Sequence, residues 1–233
     1  MTHPPGTIGV LSGSLSRWTW FSQSLLQTIL PPGTQILWCE GSWIAVAVNK
    51  LVRAMRPTDQ WLQIVADDHL WQPDLLLKLL DHNVPVVTPL CVLRQPPYAP
   101  SLFHDLGDQG FRSHTWSELQ GKIGLLPVDS TGGALAVIRR EVIEAVGDPF
   151  YESLPGHRET PMEDLYTFRK IRQAGYEVYC DLDTVIGHCM PAAVFPACDD
   201  QGHYGVRLWS YQELGMLFPH EALEPEARYH AYT

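Results

Sequence analysis

Three neighbouring polar residues are the first candidates for chemistry. Asp67-Asp68-His69 directly follow the apolar run Trp61–Ala66, which has the composition of a buried strand. Adjacent carboxylates repel each other, so either the pKa of one rises or a cation lies beside them. With an imidazole they suit Mn²⁺ or another first-row divalent ion, whereas oxygen ligands alone suit Mg²⁺. The alternative is a solvated turn in which Asp68 or His69 caps the next helix.

Two residues in the second half of the chain are further candidates. Asp164 lies in the first turn of a helix predicted from Pro161, on the face of Phe168 and Ile171. A helix N-terminus favours an ionised carboxylate, which a general base requires. Alternatively, Asp164 only complements the helix dipole. His188 follows a strand and is either a metal ligand or a structural histidine.

The elements that position these residues alternate between strand and helix. Because such units build a parallel sheet with helices on both faces, ligands are expected at the carboxyl ends of the strands. Both Ser12-Gly13-Ser14 and Asp67-Asp68-His69 fall at such ends. The expected strands of this half are Thr7–Leu11, Gln35–Cys39, Trp61–Ala66 and Val84–Leu93, and the expected helices cover residues 16–30, 42–55 and 73–81.

The second half has a weaker pattern. Residues 94–126 are expected to form a long loop, and the residues after Met190 a tail that wraps over the domain. Gly132-Gly133 would allow the backbone to approach a ligand closely, or form a bulge or turn. The remaining expected elements are a strand at Ala134–Ile138, a helix at Arg140–Val146, the helix from Pro161 and a strand at Tyr176–Cys180.

Composition excludes several classes of protein. The chain has 233 residues with 26 acidic and 16 basic side chains, and the net charge of −10 argues against a nucleic-acid-binding surface. Five irregularly spaced cysteines suit a reducing compartment. Neither a signal peptide nor a membrane-spanning segment is recognisable. We therefore expect a soluble, cytoplasmic protein.

Several segments, taken in order, resemble a GT-A-fold glycosyltransferase of the family 2-like kind. The resemblance covers about residues 7–190. It rests on IGVLSGSLS, GSWIAVAVNKLVRAM, LQIVADDHLWQPDLLLKLL, and the pair STGGALAVIRREVIEAVGDPF and PMEDLYTFRKIRQAGYEVYCDLDTVIGH. The resemblance implies an α/β, GT-A-like nucleotide-diphospho-sugar transferase fold with a mainly parallel central sheet flanked by helices. It also implies a catalytic domain over residues 1–190 and a packed tail over residues 191–233.

The resemblance further implies a divalent-metal-dependent sugar transfer to an acceptor hydroxyl. Mn²⁺ or Mg²⁺ would lie between Asp68 and His188, and Asp164 would be the base of an inverting reaction. The donor would be a UDP- or GDP-sugar and the acceptor a glycan or another hydroxyl compound. The donor-binding residues would be Ser12, Ser14, Asn49, Asp67, Gly132 and Gly133.

The sequence departs from the family pattern at two positions. Ala66 stands where the first carboxylate of an Asp-x-Asp motif would fall, and Val48 replaces an arginine. In a shifted register, Asp67 and His69 would hold the metal instead of Asp68. A retaining reaction, a sugar nucleotidyltransferase and a non-catalytic nucleotide-sugar-binding protein remain alternatives.

Overall fold

The structure is a computed structural model that describes residues 3–13, 18–41, 43–94, 98–152, 162–190 and 192–210. Within these ranges no helix has both the length and the apolar character needed to cross a bilayer.

Helices and strands alternate through the first half of the chain and become shorter and less regular in the second. The helices are α1 (Thr19–Gln27), α2 (Ile44–Arg53), α3 (Leu75–Asp81), α4 (Trp116–Leu119), α5 (Arg140–Val146) and α6 (Glu163–Gln173). The strands are β1 (Thr7–Ser12), β2 (Gln35–Glu40), β3 (Trp61–Ala66), β4 (His69–Leu70), β5 (Val86–Leu90), β6 (Leu102–Asp105), β7 (Phe111–Ser113), β8 (Leu125–Val128), β9 (Ser130–Thr131), β10 (Val137–Arg139), β11 (Val178–Val185), β12 (Gly187–Cys189), β13 (Ala192–Cys198) and β14 (Tyr204–Ser210).

A seven-stranded sheet forms the centre of the molecule, in the order β2-β1-β3-β10-β5-β11-β8. Strand β1 is parallel to both β2 and β3, and β5 is parallel to β11. Strand β10 runs antiparallel between β3 and β5, and β8 is an antiparallel edge. The predicted α/β fold with a mainly parallel sheet is therefore confirmed at this level.

Helices cover both faces of this sheet, because its strands are apolar on both sides. Leu62 and Ile64 of β3 pack in the cluster that holds Val48 of α2 together with α5 and α6. Trp61 and Val65 of the same strand pack with α1 and α3 on the other face. This alternation along β3 is the pattern of a strand buried between two helical layers.

A second sheet, in the order β14-β13-β12-β4, crosses the carboxyl edge of the central sheet. Its shortest strand, β4, begins at His69 and pairs antiparallel with β12. The residues after Met190, expected as an unpatterned tail, contribute strands β13 and β14 to this sheet. Val194 and Val206 pack there against Val92. These two strands form because their backbones pair with β12 and with each other, and the local sequence pattern does not indicate such pairing.

The segment expected as a loop over residues 94–126 contains regular structure. It forms the β6–β7 hairpin, the single-turn helix α4 and the first half of β8. Each element has only three or four residues, which is too short to show a hydrophobic period. The prediction of a long loop was therefore wrong for the hairpin, for α4 and for the start of β8.

Candidate active site

The carboxyl ends of β1 and β3 meet at the polar residues that follow them. The Asp67 amide donates a hydrogen bond to the Leu11 carbonyl at 3.1 Å. The Ser12 hydroxyl donates to the Asp67 carboxylate. These contacts extend the β1–β3 pairing by one residue, and they orient Asp67 toward β1. The two predicted donor-binding residues therefore lie side by side.

Asp68 lies at the centre of a charged cluster. Its Oδ1 is 3.1 Å from His69 Nδ1, and its Oδ2 is 3.4 Å from His188 Nε2. Arg94 Nη1 lies 2.9 Å from the same Oδ2. Burial alone would raise the pKa of Asp68, but the neighbouring imidazoles of His188 and His69 outweigh it and hold that pKa well below its usual range. Asp68 is therefore an anion at neutral pH.

His188 reaches Asp68 because strands β4 and β12 pair with His69 directly opposite His188. The two imidazole rings stack with centroids 4.6 Å apart and an interplanar angle of 18°. His188 Nδ1 must donate to the Val92 carbonyl, 2.8 Å away, since a carbonyl only accepts. The backbone thus fixes the ring with Nε2 toward Asp68. Burial lowers the pKa of His188, but Asp68 more than offsets this and raises it.

The donor set around Asp68 fits a first-row divalent cation. The ligand atoms of His69, Cys91 and His188 lie within 4.8 Å of one another. His69 Nε2 is buried, and within the described ranges it has no hydrogen-bond partner. Imidazole and thiolate ligands together favour Zn²⁺, whereas imidazoles with the neighbouring Asp68 carboxylate suit Mn²⁺. The hydrogen bond to Val92 is the kind of support that orients a histidine ligand.

Asp164 lies in the first turn of α6, beside the buried Tyr151 hydroxyl. A Cβ added at Gly133 would be 3.2 Å from Asp164 Oδ1 and 3.3 Å from that hydroxyl. Burial, with a smaller contribution from Glu163, raises the pKa of Asp164 to about 7, against the opposing effects of Tyr151 and His69. The sequence pointed instead to an ionised form favoured by the helix N-terminus. Desolvation outweighs the dipole because this side chain faces the protein interior.

Asn49 and Gly132 have contacts that explain their residue types without a ligand. Asn49 Nδ2 donates to the Tyr151 carbonyl at 2.8 Å, and its Oδ1 accepts from the Tyr151 amide at 2.9 Å. A Cβ at Gly132 would lie 2.4 Å from Ser101 Oγ. Asn49 therefore positions Tyr151 beside Asp164, and Gly132 accommodates Ser101. The predicted contacts of Asn49 and Gly132 with a nucleotide-sugar stay predictions. The other predicted donor-binding residue, Ser14, lies outside the described residues.

Three residues of this cluster were not among the predicted site residues: Cys91, Arg94 and Tyr151. Cys91 and Arg94 follow β5, which runs parallel to β3 in the same sheet, although β10 lies between the two strands. That position was a usable signal, because the carboxyl ends of parallel strands in one sheet share an edge. Tyr151 gave no such signal, since it follows a helix and reaches the site through Asn49.

Neither family models nor curated proteins match this chain. Solved structures do match in fold. A197 from STIV superposes with a TM-score of 0.56 at 13% identity, covering 92% of this chain and 99% of that one. GalNAc-T7, a GT-A glycosyltransferase solved with UDP, GalNAc and Mn²⁺, gives a TM-score of 0.55 at 12% identity, over 79% of this chain and 44% of its own. These likenesses show a shared fold.

Proposed function

We propose that this chain is a divalent-metal-dependent glycosyltransferase that moves a sugar from a nucleoside-diphosphate donor to an acceptor hydroxyl. The observation that carries the proposal is the meeting of Asp68, His69 and His188 at the carboxyl edge of the sheet. Asp164, with a pKa near neutrality, lies on the neighbouring helix α6. The structural likeness to GalNAc-T7 supports the fold that such a reaction needs.

On the donor side, carboxylate and imidazole ligands lie next to the positively charged guanidinium of Arg94. Asp68 and His188 would hold Mn²⁺ or Mg²⁺, with His69 as a further ligand. The bound ion would neutralise the diphosphate and stabilise it as a leaving group. Arg94 is half exposed and lies beside Asp68, so its guanidinium is available to pair with phosphate oxygens. Ser12 and Asp67 would contact the nucleoside.

On the acceptor side, Asp164 would take the proton of the attacking hydroxyl. The acceptor oxygen forms a bond to the anomeric carbon while the bond from that carbon to the diphosphate oxygen breaks, which inverts the configuration. Tyr151 remains protonated, because burial and the Asp164 carboxylate raise its pKa well above the ordinary value. Its hydroxyl is therefore a donor that can orient the Asp164 carboxylate. The absence of a side chain at Gly133 leaves space beside it.

The test is a thermal-shift screen of UDP, GDP and their sugars with Mn²⁺, with Mg²⁺ and with a chelator. We expect a nucleoside diphosphate to raise the melting temperature only when the metal is present. At a ligand concentration about 100 times its Kd, the rise should be on the order of 5–10 °C. Asp68→Asn should abolish the nucleotide-dependent part. Asp108→Asn, an exposed carboxylate on the β6–β7 turn, is the matched control and should retain it.

Assays for products then separate this proposal from its alternatives. Release of nucleoside diphosphate from a nucleotide-sugar, dependent on Asp164, supports a transferase. Pyrophosphate release from a nucleoside triphosphate and a sugar phosphate would identify a nucleotidyltransferase. Donor binding without turnover or donor hydrolysis, unaffected by Asp164→Asn, would identify a binding protein. The absence of any nucleotide-dependent shift would overturn the proposal.

A further inference from the structure

A second cluster of potential metal ligands lies in the segment that contains the β6–β7 hairpin and α4. His104 is on β6, His114 follows β7, and Glu118 is in α4. Their ligand atoms all lie within 4.8 Å of one another. The two imidazole rings stack with centroids 3.7 Å apart, and His104 Nε2 is 3.2 Å from Glu118 Oε1. None of these residues belongs to the cluster around Asp68.

His114 is the residue in this cluster that most needs a partner. Its exposure is 7%, and within the described ranges neither ring nitrogen has a hydrogen-bond partner. A buried polar group without a partner destabilises the folded chain. A metal ion bound by one of these nitrogens would give the ring the partner that it lacks.

Glu118 is held so that one carboxylate oxygen faces the histidines. Its Oε2 accepts a hydrogen bond of 2.6 Å from the Thr115 amide, as part of a capping box at the start of α4. Its Oε1 faces His104 and also accepts from Arg112 Nη2 at 2.9 Å. Arg112 is half exposed, so its guanidinium can move away to solvent. The capping box therefore fixes the Glu118 carboxylate. In this structure the Arg112 guanidinium pairs with the oxygen that would otherwise bind a metal ion.

We propose that His104, His114 and Glu118 form a second divalent-metal site, with zinc as the favoured ion. Two imidazoles and one carboxylate are a ligand set typical of zinc, with a fourth position open to water or another ligand. Small side-chain rotations would bring the three atoms to the usual 2.0–2.2 Å from one ion. The ion would connect strand β6 to helix α4 and would give the unpartnered ring of His114 a ligand bond.

The proposal is tested by zinc titration of the full-length chain, after chelator treatment, against a chromophoric zinc-binding competitor. A His69→Ala/His188→Ala double variant removes the imidazoles of the first cluster. It should still bind one equivalent of zinc, and adding His114→Ala should remove that equivalent. A folded double variant that binds no zinc would overturn the proposal.

Two single variants in the otherwise unchanged chain keep the test decisive if the double variant does not fold. Glu118→Gln preserves the capping box, because glutamine also serves at that position, but it should weaken zinc binding at this site by at least about 10-fold. Arg112→Gln removes the competing cation and should strengthen zinc binding by about tenfold. If this cluster were only an ion-pair network, neither variant would change zinc affinity. That result would also overturn the proposal, without bearing on the Asp68 site.

Discussion

At the scale of single residues, Asp164 combines two properties that oppose each other. Burial disfavours the ionised carboxylate of Asp164, yet the proposed reaction requires this ionised form. Burial raises its pKa to about 7, so the carboxyl is close to half ionised at physiological pH. A base with a pKa near the working pH is both present in its active form and strong enough to accept a proton.

The proposed role of Asp164 predicts a pH profile. We expect kcat/KM for sugar transfer to rise with pH through a midpoint near pH 7 and to approach a plateau about one pH unit higher, because the base acts only when ionised. Glu163 is buried beside it and contributes to the raised pKa. Glu163→Gln should therefore shift the rising limb to lower pH, and Asp164→Asn should lower the rate by about 10²–10⁴-fold. A flat profile from pH 5 to 8 would contradict this role.

The same residue predicts a change in stability. A carboxyl whose pKa is higher in the folded than in the unfolded chain stabilises the fold while it is protonated. That contribution is complete below about pH 4 and is lost as pH rises to about 7. Asp164→Asn should therefore raise the free energy of unfolding at pH 8 by about 1–3 kcal/mol relative to the original chain, with little gain at pH 4. Urea denaturation at the two pH values measures this, and equal effects at both would contradict it.

At the scale of elements, the pairing of β4 with β12 decides where His188 lies. Gly187 precedes it, and a Cβ there would be 2.6 Å from the Phe195 ring and 2.9 Å from Leu70 Cδ2. Leu70, Cys189 and Phe195 form a small buried cluster under this pairing, together with Trp20. Tight packing beneath β12 therefore supports the position of the histidine.

Gly187→Ala should separate β12 from β4. Overpacking of this kind costs about 1–3 kcal/mol, so we expect a lower melting temperature together with weaker Mn²⁺-dependent nucleotide binding. Val185→Ala, two residues earlier and partly exposed, is the matched control and should change neither. If Gly187→Ala lowered stability but left nucleotide binding intact, the β4–β12 pairing would not be what positions His188.

Asn49 makes a second connection between elements, from helix α2 to the chain near Tyr151. Asn49→Ala would leave the buried amide and carbonyl of Tyr151 without partners, which should cost about 2–4 kcal/mol. We also expect the pH profile of the reaction to change, because Tyr151 lies beside Asp164. Val46→Ala, exposed on the same helix, serves as the control. An unchanged melting temperature for Asn49→Ala would show that other contacts hold Tyr151.

The sequence predicted several elements of six or seven residues well and the elements of two to four residues poorly. Strands β1 to β3 and helix α5 were predicted to within about one residue, because each has a complete apolar pattern. The strand end at Asp67 could also be located, since it follows such a run. The β4–β12 pairing and the contact between Asn49 and Tyr151 depend on residues far apart in the chain, whereas the β6–β7 hairpin is local but has strands of only four and three residues. No local hydrophobic periodicity in the sequence indicates these three features.

At the scale of the whole molecule, the net negative charge means that the proposed metal ion is needed for nucleotide binding. A chain with a net charge of −10 repels a nucleoside diphosphate unless a cation lies between them. Calorimetry should show that Mn²⁺ tightens nucleotide binding and that nucleotide tightens Mn²⁺ binding by the same factor. A nucleotide affinity that is equal with and without metal would contradict this coupling.

The most direct test of the central claim is anomalous diffraction from crystals of the full chain grown with Mn²⁺ and a nucleoside diphosphate. We predict an anomalous peak within ligand distance of Asp68 and His188, with phosphate oxygens completing the coordination. Manganese absent from that turn, or nucleotide bound at another edge of the sheet, would contradict the account.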